Sequence, residues 1–230
     1  MHIPDGFINA GTSLGAGIVS AGGLTVAARR VAATMEDKQV PLAGLVAAFI
    51  FAVQMLNFPV AGATSGHLIG GVLAALLVGP WAGAVVLAVV LFVQALFADG
   101  GLTALGLNVL NMSLVATLGG YAFFVLLRRA LPRSRGGVIL AAGMAAGVSV
   151  VLAAIAFTIE YAFGGTGGAP IGTIAMAMIG VHTFIGIGEG LITAATVGMV
   201  LQVRPDLVYG ASDIPLTLEL RPARNVEVGG

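Results

Sequence analysis

The chain has 230 residues, of which 58% are hydrophobic and only 9% charged, with a mean hydropathy of +1.06. Soluble domains carry about a quarter of their residues as charges, so one integral membrane domain with lipid as its main solvent is expected. Ten basic residues balance ten acidic ones and no basic, aromatic-interleaved run occurs, which excludes nucleic acid as a partner; the lack of cysteine excludes disulfides, thiolate metal sites and a Cys nucleophile.

The N-terminus lacks a basic n-region followed by a contiguous apolar run and a cleavage site, so no signal peptide is expected and Met1 belongs to the mature chain. Apolar stretches then run over residues 11–28, 40–56, 68–79, 81–98, 109–127, 138–159 and 171–203. A membrane crossing needs about 20 apolar residues, which most of these approach. The 68–79 stretch does not: as a helix its 12 residues reach only about 18 Å, so it must start below the membrane surface. The preceding Asn57-Phe58-Pro59-Val60-Ala61-Gly62-Ala63-Thr64-Ser65-Gly66-His67 therefore reads as a re-entrant loop. Irregular backbone at that depth is tolerated only inside protein or beside a water-filled cavity. The last stretch, 171–203, is too long for one crossing and is expected to hold a short helix or re-entrant piece before the final span. From Arg204 the chain turns polar and carries Pro205, Pro215 and Pro222, so the expected division is a membrane domain over 1–203 and a partly disordered cytoplasmic tail over 204–230.

Cytoplasmic loops are enriched in Lys and Arg. In a seven-span order Arg29, Arg30, Lys38, Arg128, Arg129, Arg133, Arg135, Arg204, Arg221 and Arg224 all fall on one side, and Asp5, Asp99 and Glu160 on the other. The N-terminus and the 57–67 and 99–108 loops are then outward, and the C-terminus is cytoplasmic. The class is an all-α, polytopic membrane protein of about seven transmembrane helices with an inserted N-terminus and a short re-entrant outward loop.

Two of the three histidines, His2 and His67, lie on the outward side of this scheme. A histidine at position two of a free terminus can offer its Nδ1, its deprotonated backbone nitrogen and the Met1 amine in two fused chelate rings. His67 is then available as a fourth donor, and a plane of nitrogens suits Ni(II) or Cu(II). By residue type alone, His2 fits an exposed terminus better than a ligand, and His67 fits a hydrogen-bonded loop histidine as well as one. Glu189, in an apolar stretch, is a functional candidate because charge in lipid is costly, and is equally compatible with local pairing. Gly11 and Gly15, like the alanines of the second span, have the spacing of close helix packing.

Met1-His2-Ile3-Pro4-Asp5-Gly6-Phe7, Gln54-Met55-Leu56-Asn57-Phe58-Pro59-Val60, Thr64-Ser65-Gly66-His67-Leu68, Asp99-Gly100-Gly101-Leu102-Thr103-Ala104-Leu105-Gly106 and the run from His182 to Gly190 resemble the CbiM/NikM substrate-capture components of energy-coupling-factor transporters for cobalt and nickel. The likeness spans residues 1–203 and leaves the tail uncovered. It implies a non-enzymatic membrane component whose transported substrate is Ni2+ or Co2+, held by the Met1 amine, the His2 backbone nitrogen and imidazole, and the His67 imidazole, with no organic cofactor. Gln54, Asn57, Ser65, Asn108, Asn111 and His182 become candidates to orient those ligands. Ala43, Ala47, Ala48 and Ala52 become the face that docks on a membrane coupling subunit. Cytoplasmic ATPase subunits and a small accessory membrane subunit complete the implied assembly, in the inner membrane of a prokaryote.

The chain has no Gly-x-x-x-x-Gly-Lys-Ser/Thr loop, so energy is expected from partners. A stand-alone secondary carrier or channel is the alternative, though Glu189 is the only carboxylate deep in an apolar stretch. An intramembrane hydrolase is more remote, since no His-Glu-x-x-His motif occurs and Ser65 near His67 lacks an oxyanion-hole context.

Overall fold

The structure, a computed structural model, describes residues 1–60 and 64–214. Helices dominate it, and the strongest sign of their solvent is that they are inside out. The last helix, α8 (Ile171–Val203), buries His182, Gly186, Glu189, Gly190 and Thr193 and exposes Met176, Phe184, Leu191 and Val203. Water would reverse that choice, because exposing large side chains while burying polar ones is unfavourable by both terms. α1 (Ala10–Thr34) does the same, exposing Leu14 and Ile18 while burying Ser20, whose hydroxyl donates to Gly106 O at 2.6 Å.

Local sequence sets the ends of these helices. Asn9 caps α1 by accepting from Thr12 N, and Pro41 sits in the first turn of α2 (Val40–Gln54), where a missing N–H costs nothing. Phe58–Val60 and Thr64–Gly66 form a three-residue antiparallel hairpin, β1 and β2, that leads into α3 (Gly71–Val78). α4 (Pro80–Leu96) follows after the single residue Gly79. α5 (Leu105–Asn108), a π-helical stretch over Val109–Gly119 and α6 (Gly120–Ala130) continue as one rod of 26 residues. α7 (Arg135–Gly164), capped by Ser134, completes the set.

α3 is the centre of the arrangement. Its eight residues make a helix of about 12 Å, and all of them but Leu77 are buried. Glycines allow the close contacts: Gly83 of α4 lies against the Ala75 backbone and Gly71 against Thr117. A half-helix so enclosed meets the expectation for the 68–79 stretch, and Val60, Gly66 and His67 before it are buried in protein.

Among the described residues, four helices (Ala10–Thr34, Leu105–Ala130, Arg135–Gly164 and Ile171–Val203) are long and apolar enough to cross a membrane, and Val40–Gln54 and Pro80–Leu96 are shorter apolar helices. The expected break in 171–203 is overturned: α8 is one unbroken helix of 33 residues, about 50 Å long. Its glycines look like punctuation in sequence, yet Gly186 and Gly190 serve contact with α7. A Cβ on Gly186 would lie 2.7 Å from Gly147 O, and one on Gly190 2.7 Å from Gly143 O. A helix this long tilts or projects beyond the hydrocarbon.

The bundle has two chemically different ends. Asp5, Asp99 and Thr103 gather at one, where Asp5 accepts from Thr103 N at 2.7 Å. At the other, Arg30, Thr34, Gln39, Gly79, Trp81 and Tyr209 line one cleft. Residues 204–214, assigned by sequence to the tail, make two 3-10 turns there, with Val208, Ala211 and Ile214 buried and Arg128 paired to Asp213 at 2.8 Å. The rest of the expected tail, with Pro215, Arg221, Pro222 and Arg224, lies outside the described residues, as do Ala61, Gly62 and Ala63 of the expected loop.

Gly186→Leu is expected to destabilise the protein by roughly 1–3 kcal/mol through overpacking against α7, read as a lower unfolding temperature in detergent. Gly180→Leu on the same helix, where a Cβ meets nothing within 4 Å, is expected to leave that temperature unchanged.

Candidate metal centre

Residues 1–9 do not trail from the bundle but are sewn into it. Asn9 N–H donates to Gly164 O at 2.7 Å and Thr166 N–H to Phe7 O at 3.1 Å, joining the segment to the end of α7. The Phe7 ring packs on Tyr161 and Phe157 at centroid distances of 5.4 and 5.9 Å. Asp5 holds the Thr103 N–H and hydroxyl. Deepest, Asn108 grips both polar groups of Ile3, accepting its N–H at 2.8 Å and donating to its carbonyl at 3.2 Å, while Gly101 N–H donates to the same carbonyl at 2.9 Å. Every polar group thus buried needs a partner, and the result is that Met1, His2 and Ile3 are 0%, 5% and 0% exposed.

The buried terminus meets the β-hairpin. The Met1 amine donates to Ser65 O and lies 3.3 Å from Ser65 Oγ. The His2 and His67 rings stack with centroids 4.5 Å apart and planes 25° from parallel. His67 Nδ1 lies 2.8 Å from Leu68 O; a carbonyl only accepts, so Nδ1 carries the proton and Nε2 presents a lone pair. That Nε2 is buried with no hydrogen-bond partner among the described residues. On the far side of the terminus, His2 Nε2 lies 3.7 Å from Asp99 Oδ2. Gly100, with φ +102°, brings its backbone close enough that a Cβ there would sit 3.1 Å from His2 Nδ1.

The loop that carries His67 is held from two helices. Gln54 of α2 donates to Ile69 O at 2.6 Å, and Glu189 of α8 accepts from the N–H groups of Ile69 and of Gly70, the latter at 2.9 Å. Glu189 therefore ties α8 to the start of α3. His182 donates from Nδ1 to Met178 O at 2.7 Å, and a Cβ on Gly66 would be 3.7 Å from its Nε2.

Burial sets the charge state of the terminus. The Met1 amine is held well below its ordinary value of 8.0 by desolvation, which the nearby Asp99 only partly offsets. Desolvation, with the amine's charge second, lowers His2 from 6.5 to about 3, and desolvation likewise drives His67 down. Asp99 is raised, by burial first and against the pull of the amine, whereas Asp5 is lowered by its Thr103 hydrogen bonds. Burial thus disfavours the protonated forms of the amine and of both imidazoles, and the unprotonated form is the one in which nitrogen binds a metal. Among the described residues no three His, Cys, Asp or Glu side chains cluster as a metal site, so a metal held here draws on the amine and backbone as well as imidazole.

The structure brings together Met1, His2, His67, Ser65 and Asn108, with Gln54 holding the loop and His182 behind it. It does not bring in Asn57, which is exposed, and Asn111 instead donates to Glu160 at 2.7 Å. Of the alanines, Ala48 and Ala52 are exposed on α2, while Ala43 and Ala47 are half-buried against the core. Asp99 stands in the sequence as an outward acidic residue and as the start of the 99–106 motif, but without a site role; its place in a Gly-rich loop after a span was the available signal. Gln94, fully buried with neither amide atom partnered among the described residues, gave none.

Comparison with known proteins matches residues 2–207 to the CbiM family, described as "Cobalt uptake substrate-specific transmembrane region". The chain is 40% identical to "Putative metal transport protein HQ_3621A" of Haloquadratum walsbyi, over 91% of this chain and 94% of that one. It is 40% identical to the "Putative fused nickel transport protein NikMN" of Archaeoglobus fulgidus over 90% of this chain and 68% of that protein. It is 37% identical to the "Cobalt transport protein CbiM" of Sorangium cellulosum over 73% of this chain and 76% of that one. The crystal structure of a transition metal transporter superposes with a TM-score of 0.80 at 34% identity, covering 88% of this chain and 93% of that one.

Asn108→Ala is expected to loosen the terminus, because it strands the Ile3 N–H and carbonyl in the interior at about 1–3 kcal/mol for each unsatisfied group. Hydrogen exchange at residues 2–8 should rise while α7 and α8 keep their protection; unchanged exchange at residues 2–8 would contradict the clamp.

Proposed function

We propose, because the chain belongs to the CbiM family, that it is the substrate-specific membrane subunit of an importer for Ni2+ or Co2+, and that its own first two residues hold the ion. It is a transport protein and not an enzyme. The observation that carries the ligand assignment is a buried Met1 amine lying beside two buried, stacked imidazoles.

The Met1 amine, the His2 backbone nitrogen and His2 Nδ1 close a five- and a six-membered chelate ring on one ion, and His67 Nε2 supplies the fourth nitrogen. Rings stacked 25° from parallel do not aim their in-plane lone pairs at one point, so loading turns the two imidazoles edge-on to the ion, and the amine leaves Ser65 O. A planar nitrogen set favours Ni2+. Asn108 and Gly101 limit the motion to the first two residues by holding Ile3, and Gln54 and Glu189 fix the backbone just after His67. The end bearing Asp5 and Asp99 faces outward and the end bearing Arg30, Arg128 and Tyr209 faces the cytoplasm, in keeping with the side on which basic residues gather.

Inward delivery is driven by cytoplasmic ATPase subunits acting through a membrane coupling subunit that docks on α2 at Ala48 and Ala52, with a small accessory membrane subunit, in a prokaryotic inner membrane. A stand-alone ion-coupled carrier has less support, because Glu189 spends its carboxylate on the Ile69 and Gly70 N–H groups.

His67→Ala, or one residue added before Met1, is expected to abolish tight Ni2+ binding in calorimetry; full affinity in either variant would contradict the ligand set. Affinity should also fall on acidification. A released terminus binds protons at the ordinary values of 8.0 and 6.5, whereas the seated His2 does so only at about 3. Each pH unit below 6.5 therefore disfavours the seated terminus, relative to a released one, by about 1.4 kcal/mol through His2 alone. Near pH 7 the His2 amide is the main proton to be displaced, so log affinity should rise about one unit per pH unit; a pH-independent affinity would contradict the assignment.

A further inference from the structure

The terminus and the 99–104 loop make a polar approach that the ligand set does not use. His2 Nε2 faces Asp99 Oδ2 at 3.7 Å, and that oxygen is itself buried without a hydrogen-bond partner among the described residues. Asp99 lies on the turn after α4, and its neighbours Gly100 and Gly101 are pressed on the terminal segment. A Cβ on Gly100 would lie 3.1 Å from His2 Nδ1, and one on Gly101 2.4 Å from Asp5 N. The loop is thus built to sit against residues 2–5, with its carboxylate on the edge of His2 opposite the chelating nitrogen.

We infer that Asp99 is a positioning residue for the transported ion: it accepts the His2 Nε2–H, fixes the tautomer that leaves Nδ1 free to chelate, and supplies the negative charge that a buried dication requires. The inference rests on the ligand reading above. Carboxylate–imidazole–metal triads set the tautomer and raise the basicity of the ligand ring. The charge argument points the same way. One backbone amidate beside two neutral imidazoles and a neutral amine leaves a dication with a net positive charge in a site where His2 and His67 are 5% and 0% exposed, and buried charge persists only when paired. Asp5, the other acidic residue of the segment, is occupied by Thr103. Glu189 is occupied by Ile69 and Gly70.

The test uses Ni2+ binding to the full chain with its native N-terminus, by calorimetry, beside the ligand-field absorption of the bound ion and the unfolding temperature of the metal-free protein. Asp99→Asn keeps the shape and an acceptor oxygen but removes the charge; Asp99→Ala removes both. Loss of such a partner costs about 10–100-fold in affinity, with Asn expected near the lower figure and Ala near the upper. The absorption band and the metal-free unfolding temperature should stay as in the parent, and Asp99→Glu should recover part of the affinity. Unchanged affinity in Asp99→Ala would overturn the inference. So would a shifted absorption band, which would make Asp99 a ligand, or a fall in metal-free unfolding temperature matching the loss, which would make its role structural. His67→Ala separates this from the underlying reading: if it retains full affinity, the ligand set fails, whereas loss in His67→Ala with none in Asp99→Ala defeats the positioning role alone.

Discussion

The structure depends on burying a chain terminus. An α-amine in a protein interior is costly as a cation and acceptable as a neutral donor with a partner, and here it is sunk to full burial against the Ser65 carbonyl. Much of the end of the bundle that carries Asp5 and Asp99 serves to hold it there. Asn108 and Gly101 occupy both polar groups of Ile3, Thr103 occupies Asp5, and the end of α7 binds Phe7 and Asn9. The consequence is chemical: desolvation disfavours the protonated forms of an amine and two imidazoles that lie in one place, without any cluster of acidic or sulfur side chains among the described residues.

A second constraint shapes the other half of the site. A histidine can reach the level of the buried terminus only if the chain around it is irregular, and irregular backbone inside a membrane protein must be satisfied by the protein itself. The β-hairpin, the Gln54 bond to Ile69 and the Glu189 bonds to Ile69 and Gly70 do this. The short helix α3 then carries the chain through the centre of the bundle. Because Glu189 lies on the strip of α8 that contacts α7 through Gly186 and Gly190, the His67 loop is tied mechanically to the long α7–α8 pair.

Much of this was readable before any coordinates. The membrane class followed from composition, and the enclosed loop followed from arithmetic: the 68–79 stretch is too short to cross. What sequence misread, it misread for physical reasons. The glycines of 171–203 look like helix breakers, yet in a membrane helix they are contact surfaces, and only the facing backbone of α7 reveals the difference. Glu189 had no assignable role because its partners are main-chain N–H groups, which leave no mark on a sequence. Asp99 and Gly101 were visible as a motif, but their approach to residues 2–5 joins segments almost a hundred positions apart. Asn57 and Asn111 show the converse, since proximity in sequence to a site residue did not bring either of them to it.

X-ray absorption at the nickel edge of the loaded protein, produced with an unmodified Met1, tests the central claim most directly. The account predicts a planar first sphere made only of nitrogen, with outer scattering from the imidazoles of His2 and His67. A six-coordinate, oxygen-rich spectrum would contradict it.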